Sequence, residues 1–351
     1  MPSTIPTEKL ASLGLRRGEY AGAETALVFA DACKEFAALR SGCGVYDLGW
    51  RRYFTVSGRD RLRWLNGMVS NNIRDLQPGH GVYAFVLNPQ GHILGDLYIY
   101  NRGDDFVLET DASQAEKLYS HLKRFIIMDQ VEFKPAEDWA AIGLQGPKAE
   151  QTLNAAGVDL PALQPLQLSD VKSAAAKPTL VRGDHPLSPN YVLWLARDQA
   201  PALWDALVKA GATPSGAEAL ELARIAAGIP RYGQDIRERD LPQETGQMRA
   251  LSFTKGCYIG QEIVERIRAR GSLHRAFAGF RILEGPLPAP GSKVQSGGKD
   301  VGEITSTAML PAQEGEIAVA LGYVRKEAGA PGATVEVDAS RARVEALPFT
   351  F

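Results

Sequence analysis

The segment "TKGCYIGQE", residues 254–262, carries the last of three cysteines, and Cys257 stands there two residues after Lys255 and between Gly256 and Gly260. A cysteine acts as a nucleophile, metal ligand or redox partner through its thiolate, which a nearby cation or a helix N-terminus favours. "GQEIVERI" has a helical pattern with Gly260 near its start, so Cys257 falls just ahead of a helix N-terminus. Gly256 and Gly260 admit backbone conformations, or a close ligand approach, that other residues forbid. The same residues equally suit a small cysteine that only packs, the commonest fate of a free thiol. Gln261 and Glu262 occupy the first helical turn, where an amide and an acid help to satisfy free N–H groups.

A second stretch, "NPQGHILGDLYIY" (88–100), reads as a turn and a strand. Alternation along the strand puts Asp96, Tyr98 and Tyr100 on one face and Leu97 and Ile99 on the other. A carboxylate flanked by aromatics can pair with a nitrogen heterocycle or act as a general acid/base, or it can simply face water. Arg266, Arg268 and Arg270 fall at alternate positions, so on a strand they form one cationic face. Such a face is either solvated or a seat for an anionic tail or an RNA backbone. The five histidines are scattered without an H-E-x-x-H, so no metal site is expected. The odd cysteine count without C-x-x-C argues against a disulfide scaffold or a zinc finger. "GCGVYD" lacks the third glycine of a dinucleotide fingerprint, and no Walker sequence occurs.

These residues need elements to hold them. The chain of 351 residues is 45% hydrophobic, enough for two or three domains with real cores. Lys and Arg number 39 against 41 Asp and Glu, so no global charge draws it to nucleic acid or membrane. Its first residues lack a basic and an apolar signal region, and no apolar run approaches the roughly 20 residues of a membrane span. A cytoplasmic protein is expected.

Residues 24–40 show helical periodicity, 51–58 alternate like a strand, and Ser57 is a candidate N-cap for the helix "RDRLRWLNGMV". Strands are expected at "GVYAFVLN", "ILGDLYIY" and "DDFVLET". A helix capped by Asp111 follows, then strands around "WAAIGLQ" and a helix over 147–156 opened by Pro147. After a polar, Pro-rich stretch (161–190) come the strand "NYVLWLA" and the helix "APALWDALVKAG". This β-β-α rhythm, at 81–125 and again at 137–210, predicts an α+β protein with mostly antiparallel sheets. From about 276, turn residues recur every eight to twelve positions, "IAVALGYV" (317–324) is a buried strand, and a small all-β barrel or sandwich is expected. The predicted division is a body over 1–246, a linking segment over 247–275 and a β-barrel domain over 276–351.

"KGCYIGQE" resembles the K-G-C-aromatic-x-G-Q-E signature of the YgfZ family of folate-binding, iron–sulfur-linked proteins. Lys255, Gly256, Cys257, Tyr258, Gly260, Gln261 and Glu262 match every specified position. The wider chain, through "GVYDLGWRRYFTVSGRDRLRWLNGMVSNNI", "AIGLQGPKAEQTL" and "VGEITS", is similar to the glycine-cleavage T-protein, an aminomethyltransferase that uses tetrahydrofolate. This resemblance implies a folate-binding body of two α+β units followed by a β-barrel. It implies that Asp96 matches the catalytic strand aspartate beside the folate nitrogens, and that Tyr83 and Tyr100 match folate-pocket tyrosines. Three positions depart from that enzyme: Val192 stands near its pterin-binding glutamate, Glu218 replaces its folate-binding arginine, and Trp50–Arg51 replaces its histidine–methionine pair.

The YgfZ resemblance implies a cytoplasmic factor that binds a reduced folate such as tetrahydrofolate and supports assembly or repair of iron–sulfur clusters in client enzymes, tRNA-modifying ones included. Cys257 is then a presented, reactive thiol with its charge stabilised by Lys255. The glycines shape the loop, Gln261 and Glu262 anchor it, and no turnover is required. The alternative is a tetrahydrofolate-dependent aminomethyl- or methyltransferase built on Asp96. A third reading is an RNA- or partner-binding module on Arg266, Arg268 and Arg270.

Overall fold

The computed structural model describes residues 15–271, 273–312 and 315–351. The opening segment read for a leader lies outside them. The chain folds into two compact units, one of residues 1–84 and 97–220, the other of residues 85–96 and 221–351.

The first unit carries a six-stranded sheet in the order Leu168–Asp170, Thr179–Arg182, Asn190–Ala196, Trp139–Gln145, Gly44–Asp47, Thr213–Pro214. All its pairings are antiparallel except the short last one. The central strand Trp139–Gln145 is buried along nearly its whole length, as befits a strand covered on both faces. The helix Ala200–Lys209 buries Leu203, Trp204 and Leu207 against this sheet's core with Ile142, Leu144, Leu180 and Leu193. Each such side chain contributes about 1.5–3 kcal/mol by leaving water.

A second, five-stranded sheet runs His80–Leu87, Ile93–Asn101, Phe106–Asp111, Arg51–Ser57, Glu132–Pro135. The division between units falls inside its first two strands. The helix Ala112–Lys123 follows Phe106–Asp111 and buries Ala115, Leu118 and Leu122. From Arg275 onward the second unit is a closed antiparallel barrel ordered Arg275–Glu284, Gly315–Arg325, Lys299–Ala312, Lys293–Ser296, Thr334–Val337, Ser340–Glu345. Phe280, Val294, Ile304, Ala320, Val335 and Val344 fill it. The predicted α+β class with antiparallel sheets and a C-terminal barrel is the observed one.

Several local expectations need correction. The helix expected over 24–40 is a strand, Ala23–Val28, followed by a helix, Ala32–Ser41. Two carboxylates enforce the break. Asp31 accepts from the Lys34 N–H at the helix start, and the buried Glu35 accepts from the N–H groups of Phe29, Ala30 and Asp31 at 2.8, 2.7 and 3.2 Å. Ser57 does not cap the next helix. It ends its strand and donates to Glu132, while the helix Arg61–Met68 starts after Asp60. Asp111 precedes its helix but gives its side chain to Arg51 at 2.8 Å. Within 161–190, Thr179–Arg182 pairs with Asn190–Ala196 and Leu168–Asp170 pairs with Thr179–Arg182, so two short strands extend the first sheet.

Glu35 is 2% exposed, and its second oxygen accepts from the Gly216 N–H at 2.8 Å, joining two parts of the first unit far apart in sequence. Glu35→Ala leaves four N–H groups without an acceptor. It is expected to cost about 3 kcal/mol, seen as a lower urea midpoint with an unchanged slope. Glu24→Ala removes an exposed partner of Arg17 and is expected to cost less than about 1 kcal/mol.

Candidate functional site

The second unit holds the signature segment. After the short turns Pro242–Thr245 and Met248–Ala250 the chain runs irregularly to Gly260, where the helix Gln261–Arg270 begins. Cys257 is exposed in this run, whereas Lys255 and Tyr258 on either side of it are buried. The Lys255 ammonium lies 4.8 Å from the centre of the Tyr258 ring, a cation–π contact that pins the base of the loop. The cation expected beside the thiolate is thus seated on an aromatic ring. Burial pushes the Tyr258 hydroxyl up to about 12, with Glu265 adding to the effect, so it stays protonated.

Gln261 fixes the turn from both ends. Its backbone N–H donates to the Tyr258 carbonyl at 3.2 Å, and its side-chain oxygen accepts from the Tyr258 N–H at 3.3 Å. Glu262 points to solvent and pairs with Arg266 one turn on at 2.5 Å, a solvated helix pair of small energetic weight.

The two glycines differ. Gly260 has φ +84°, and a Cβ there would lie 2.6 Å from the Asn88 carbonyl oxygen. Gly91 packs in the same way on the helix, where a Cβ would lie 2.7 Å from that of Ile263. The turn 88–92, which contains Gly91 and receives Gly260 and Ile263, is closed by its own bonds: the Asn88 side chain accepts from the His92 N–H at 2.9 Å, and the Asn88 carbonyl from the Gly91 N–H. Gly256, by contrast, has open space where a Cβ would go and no left-handed backbone.

The three arginines occupy the helix, not a strand. At about 100° per residue Arg266 and Arg268 point to opposite sides, so the single cationic face is not formed. Arg266 pairs with Glu262. Arg268 pairs with Glu265 and covers the Phe253 ring at 4.9 Å.

Asp96 lies half-buried in the strand Ile93–Asn101 of the second sheet, alternating with Tyr98 and Tyr100. Within the first unit the tyrosines belong to an aromatic cluster. Tyr83 and Tyr98 are 5.0 Å apart, Tyr98 and Tyr100 6.3 Å, and Tyr100 meets Trp194 edge-on at 5.1 Å. Tyr83 and Tyr100 are only 5% and 3% exposed, so they form the packed backing of the cluster. Tyr98 is the more open ring, and its hydroxyl donates to Asp184 at 3.2 Å.

Arg51 sits at 6.0 Å from the Tyr98 ring centre and pairs with Glu109 at 3.1 Å and Asp111 at 2.8 Å. Burial pushes the Glu109 carboxyl above the usual carboxylate range, with Arg51 opposing the rise. Burial, with Glu109 adding to it, pushes the Tyr100 hydroxyl well up and keeps it neutral. Sequence reasoning missed Arg51 and Glu109 as a pair because nothing local links them. Val192 is an apolar strand residue, and Glu218 pairs with Arg16 at 2.5 Å. Among the described residues no group of three or more His, Cys, Asp or Glu is placed to hold a metal, and no helix is long and apolar enough to cross a membrane.

An α+β body followed by a closed six-stranded barrel defines the class of fold. Residues 7–255 match the GCVT N-terminal domain and residues 275–350 the glycine cleavage T-protein C-terminal barrel domain. The chain belongs to the glycine cleavage T-protein family. It is 30% identical to an aminomethyltransferase of Thermus thermophilus over 99% of each chain. To that of Geobacillus kaustophilus it is 29% identical, over 97% of this chain and 96% of the relative. The crystal structure of glycine cleavage system aminomethyltransferase T from Bartonella henselae has the same fold, with a TM-score of 0.89 at 21% identity over 98% of this chain and 96% of that one.

The loop geometry makes a direct prediction. Gly260→Ala meets both an unfavourable φ and the Asn88 carbonyl, and is expected to cost about 1–3 kcal/mol in thermal denaturation. Gly256→Ala, with room for its methyl, is expected to stay within about 0.5 kcal/mol of the parent.

Proposed function

We propose that this protein is a reduced-folate-binding member of the T-protein family whose working group is the Cys257 thiol. It is a factor of the YgfZ type that supports assembly or repair of iron–sulfur clusters in client enzymes, tRNA-modifying ones among them. The observation that carries this reading is the exposed Cys257 on a loop whose neighbouring side chains are turned inward. Gln261, Gly260 and the Lys255–Tyr258 contact fix the loop without using the thiol. A surface thiol on a fixed backbone is suited to exchange with an iron, a sulfur species or an oxidised client.

The residues present fit a reduced folate in part. In the first unit Tyr98 offers a partly open ring for stacking, with Tyr83 and Tyr100 as backing; Asp96, in the second unit, is a half-buried carboxylate of the kind that pairs with ring nitrogens. A bound reduced folate supplies one-carbon or reducing chemistry at its ring nitrogens. Val192 supplies no acid for a pterin, and Glu218 would repel a folate carboxylate, which argues against ordinary glycine cleavage.

A second reading, a tetrahydrofolate-dependent aminomethyl- or methyltransferase positioned by Asp96, is favoured by the 30% identity to the Thermus thermophilus aminomethyltransferase across the whole chain. Two variants separate the readings, assayed for client iron–sulfur enzyme activity in cells, for tetrahydrofolate binding by calorimetry and for folate-dependent transfer in vitro. Cys257→Ser is expected to lower client activity about tenfold and leave folate binding unchanged, while Asp96→Asn weakens folate binding about tenfold. Transfer that Asp96→Asn abolishes and Cys257→Ser leaves intact would establish the transferase instead.

A further inference from the structure

The second unit contains a cavity of about 400 Å³ lined by Gln243, Met248, Phe253, Ile267, Leu273 and Lys326, with Arg268 at its edge. Its lining is mainly apolar, but three polar groups give it a direction. Gln243 is 7% exposed, and its Nε2 donates to the Val264 carbonyl at 2.8 Å. That bond sets the amide orientation, because the flipped form would place two oxygens against each other. Its Oε1 is therefore a buried acceptor, and it has no hydrogen-bond partner among the described residues. A buried acceptor left unmatched costs roughly as much as a lost hydrogen bond, so the position is suited to an N–H that arrives with a ligand.

The charged groups at the rim are both cations. Lys326 is exposed and forms no ion pair among the described residues. The polar contacts of Arg268, to Glu265 and the Phe253 carbonyl, both run through Nη1, which leaves Nη2 and Nε for an incoming anion. An apolar hollow, a single buried acceptor and two rim cations match a ligand with an apolar side chain, one amide N–H and a carboxylate.

We propose that this cavity binds the free carboxyl end of a peptide whose last residue is apolar. The apolar side chain enters between Met248, Phe253, Ile267 and Leu273, the last amide N–H donates to Gln243 Oε1, and the carboxylate meets Lys326 and Arg268. The volume accommodates one or two residues. Phe253 and Arg268 flank the segment that presents Cys257 in the same unit, so a captured chain end is held on the body that carries the thiol. Binding itself does not involve Cys257 or a folate, so Cys257→Ser must leave it unchanged.

The test titrates the full-length protein with N-acetyl-L-leucine, N-acetyl-L-leucinamide and acetyl-Ala-Ala-Leu, followed by saturation-transfer NMR. The acid is expected to bind in the millimolar range, the amide about tenfold more weakly, and the tripeptide more tightly than the single residue. The surface double variant Lys326→Ala/Arg268→Ala is expected to bring the acid down to the affinity of the amide. Gln243→Leu should weaken both. Equal binding of acid and amide, no effect of the double variant, or no saturable binding would each overturn the proposal. Affinity for the acid that does not grow with peptide length would assign the cavity to a small N-acyl amino acid and overturn the peptide.

Discussion

The second unit is organised around a carboxylate with no exposure to water. Asp235 accepts from the Arg224 guanidinium at 2.6 Å, from the Arg231 N–H at 3.0 Å and from the Ser306 hydroxyl at 2.7 Å, with the Thr305 hydroxyl on the same oxygen. Those partners come from the helix Ala217–Ala227, the loop after it and a barrel strand, so one acid joins three segments. A buried charge in this state is tolerated only because every lone pair is matched. Removal of one partner from such a pair typically costs about 3–5 kcal/mol. Asp240, equally buried, extends the arrangement to Arg275 at the first barrel strand, and Arg275 also reaches Glu244 at 2.9 Å. The short turn at Pro242–Thr245 that leads toward the signature segment is thereby tied to the barrel.

In the signature segment the groups that fix the backbone are distinct from the exposed thiol. The residues that hold the signature segment are glycine backbone, an amide and a buried lysine over a ring; the thiol takes no part in the hold. On the other sheet a comparable separation is seen. Tyr83, Tyr100 and Trp194 are packed and Glu109 is buried beneath a half-buried Arg51, while Tyr98 and Asp96 remain more open than the rings that back them. In both places buried or half-buried polar groups are held by ion pairs, hydrogen bonds or ring contacts, and more open side chains stand beside them.

The fold was legible wherever the pattern was local. Alternation announced the strands at 51–57, 80–101 and 190–196, and the turn spacing announced the barrel. Residues 24–40 misled because an alanine-rich strand and helix in succession imitate one helical period; Glu35 and Asp31, which break it, read as ordinary helix residues until their backbone partners are seen. Lys255, Cys257, Gly260 and Gln261 stood out by type and spacing, although the contact of Lys255 with Tyr258 did not. Alternate arginines carry no sign of the secondary structure they occupy, and the helix sends Arg266 and Arg268 apart. Asp235 was illegible for a different reason: its hydroxyl partners lie about seventy residues away in sequence, and no spacing rule connects them.

The docking of Gly91 and Gly260 has a temporal side. The turn 88–92 and the helix Gln261–Arg270 are separated by nearly half the chain, so on a ribosome the hairpin is made long before the helix that covers it. Contacts of such sequence separation form late, after most of the entropy of closing the intervening chain has been lost. The hairpin must therefore wait with the seat of Ile263 empty, and the thiol loop acquires its fixed shape only after the first two sheets have been made. A chain stalled before residue 260 would carry the strands of the first two sheets but neither the barrel nor the helix that fixes the loop of Cys257.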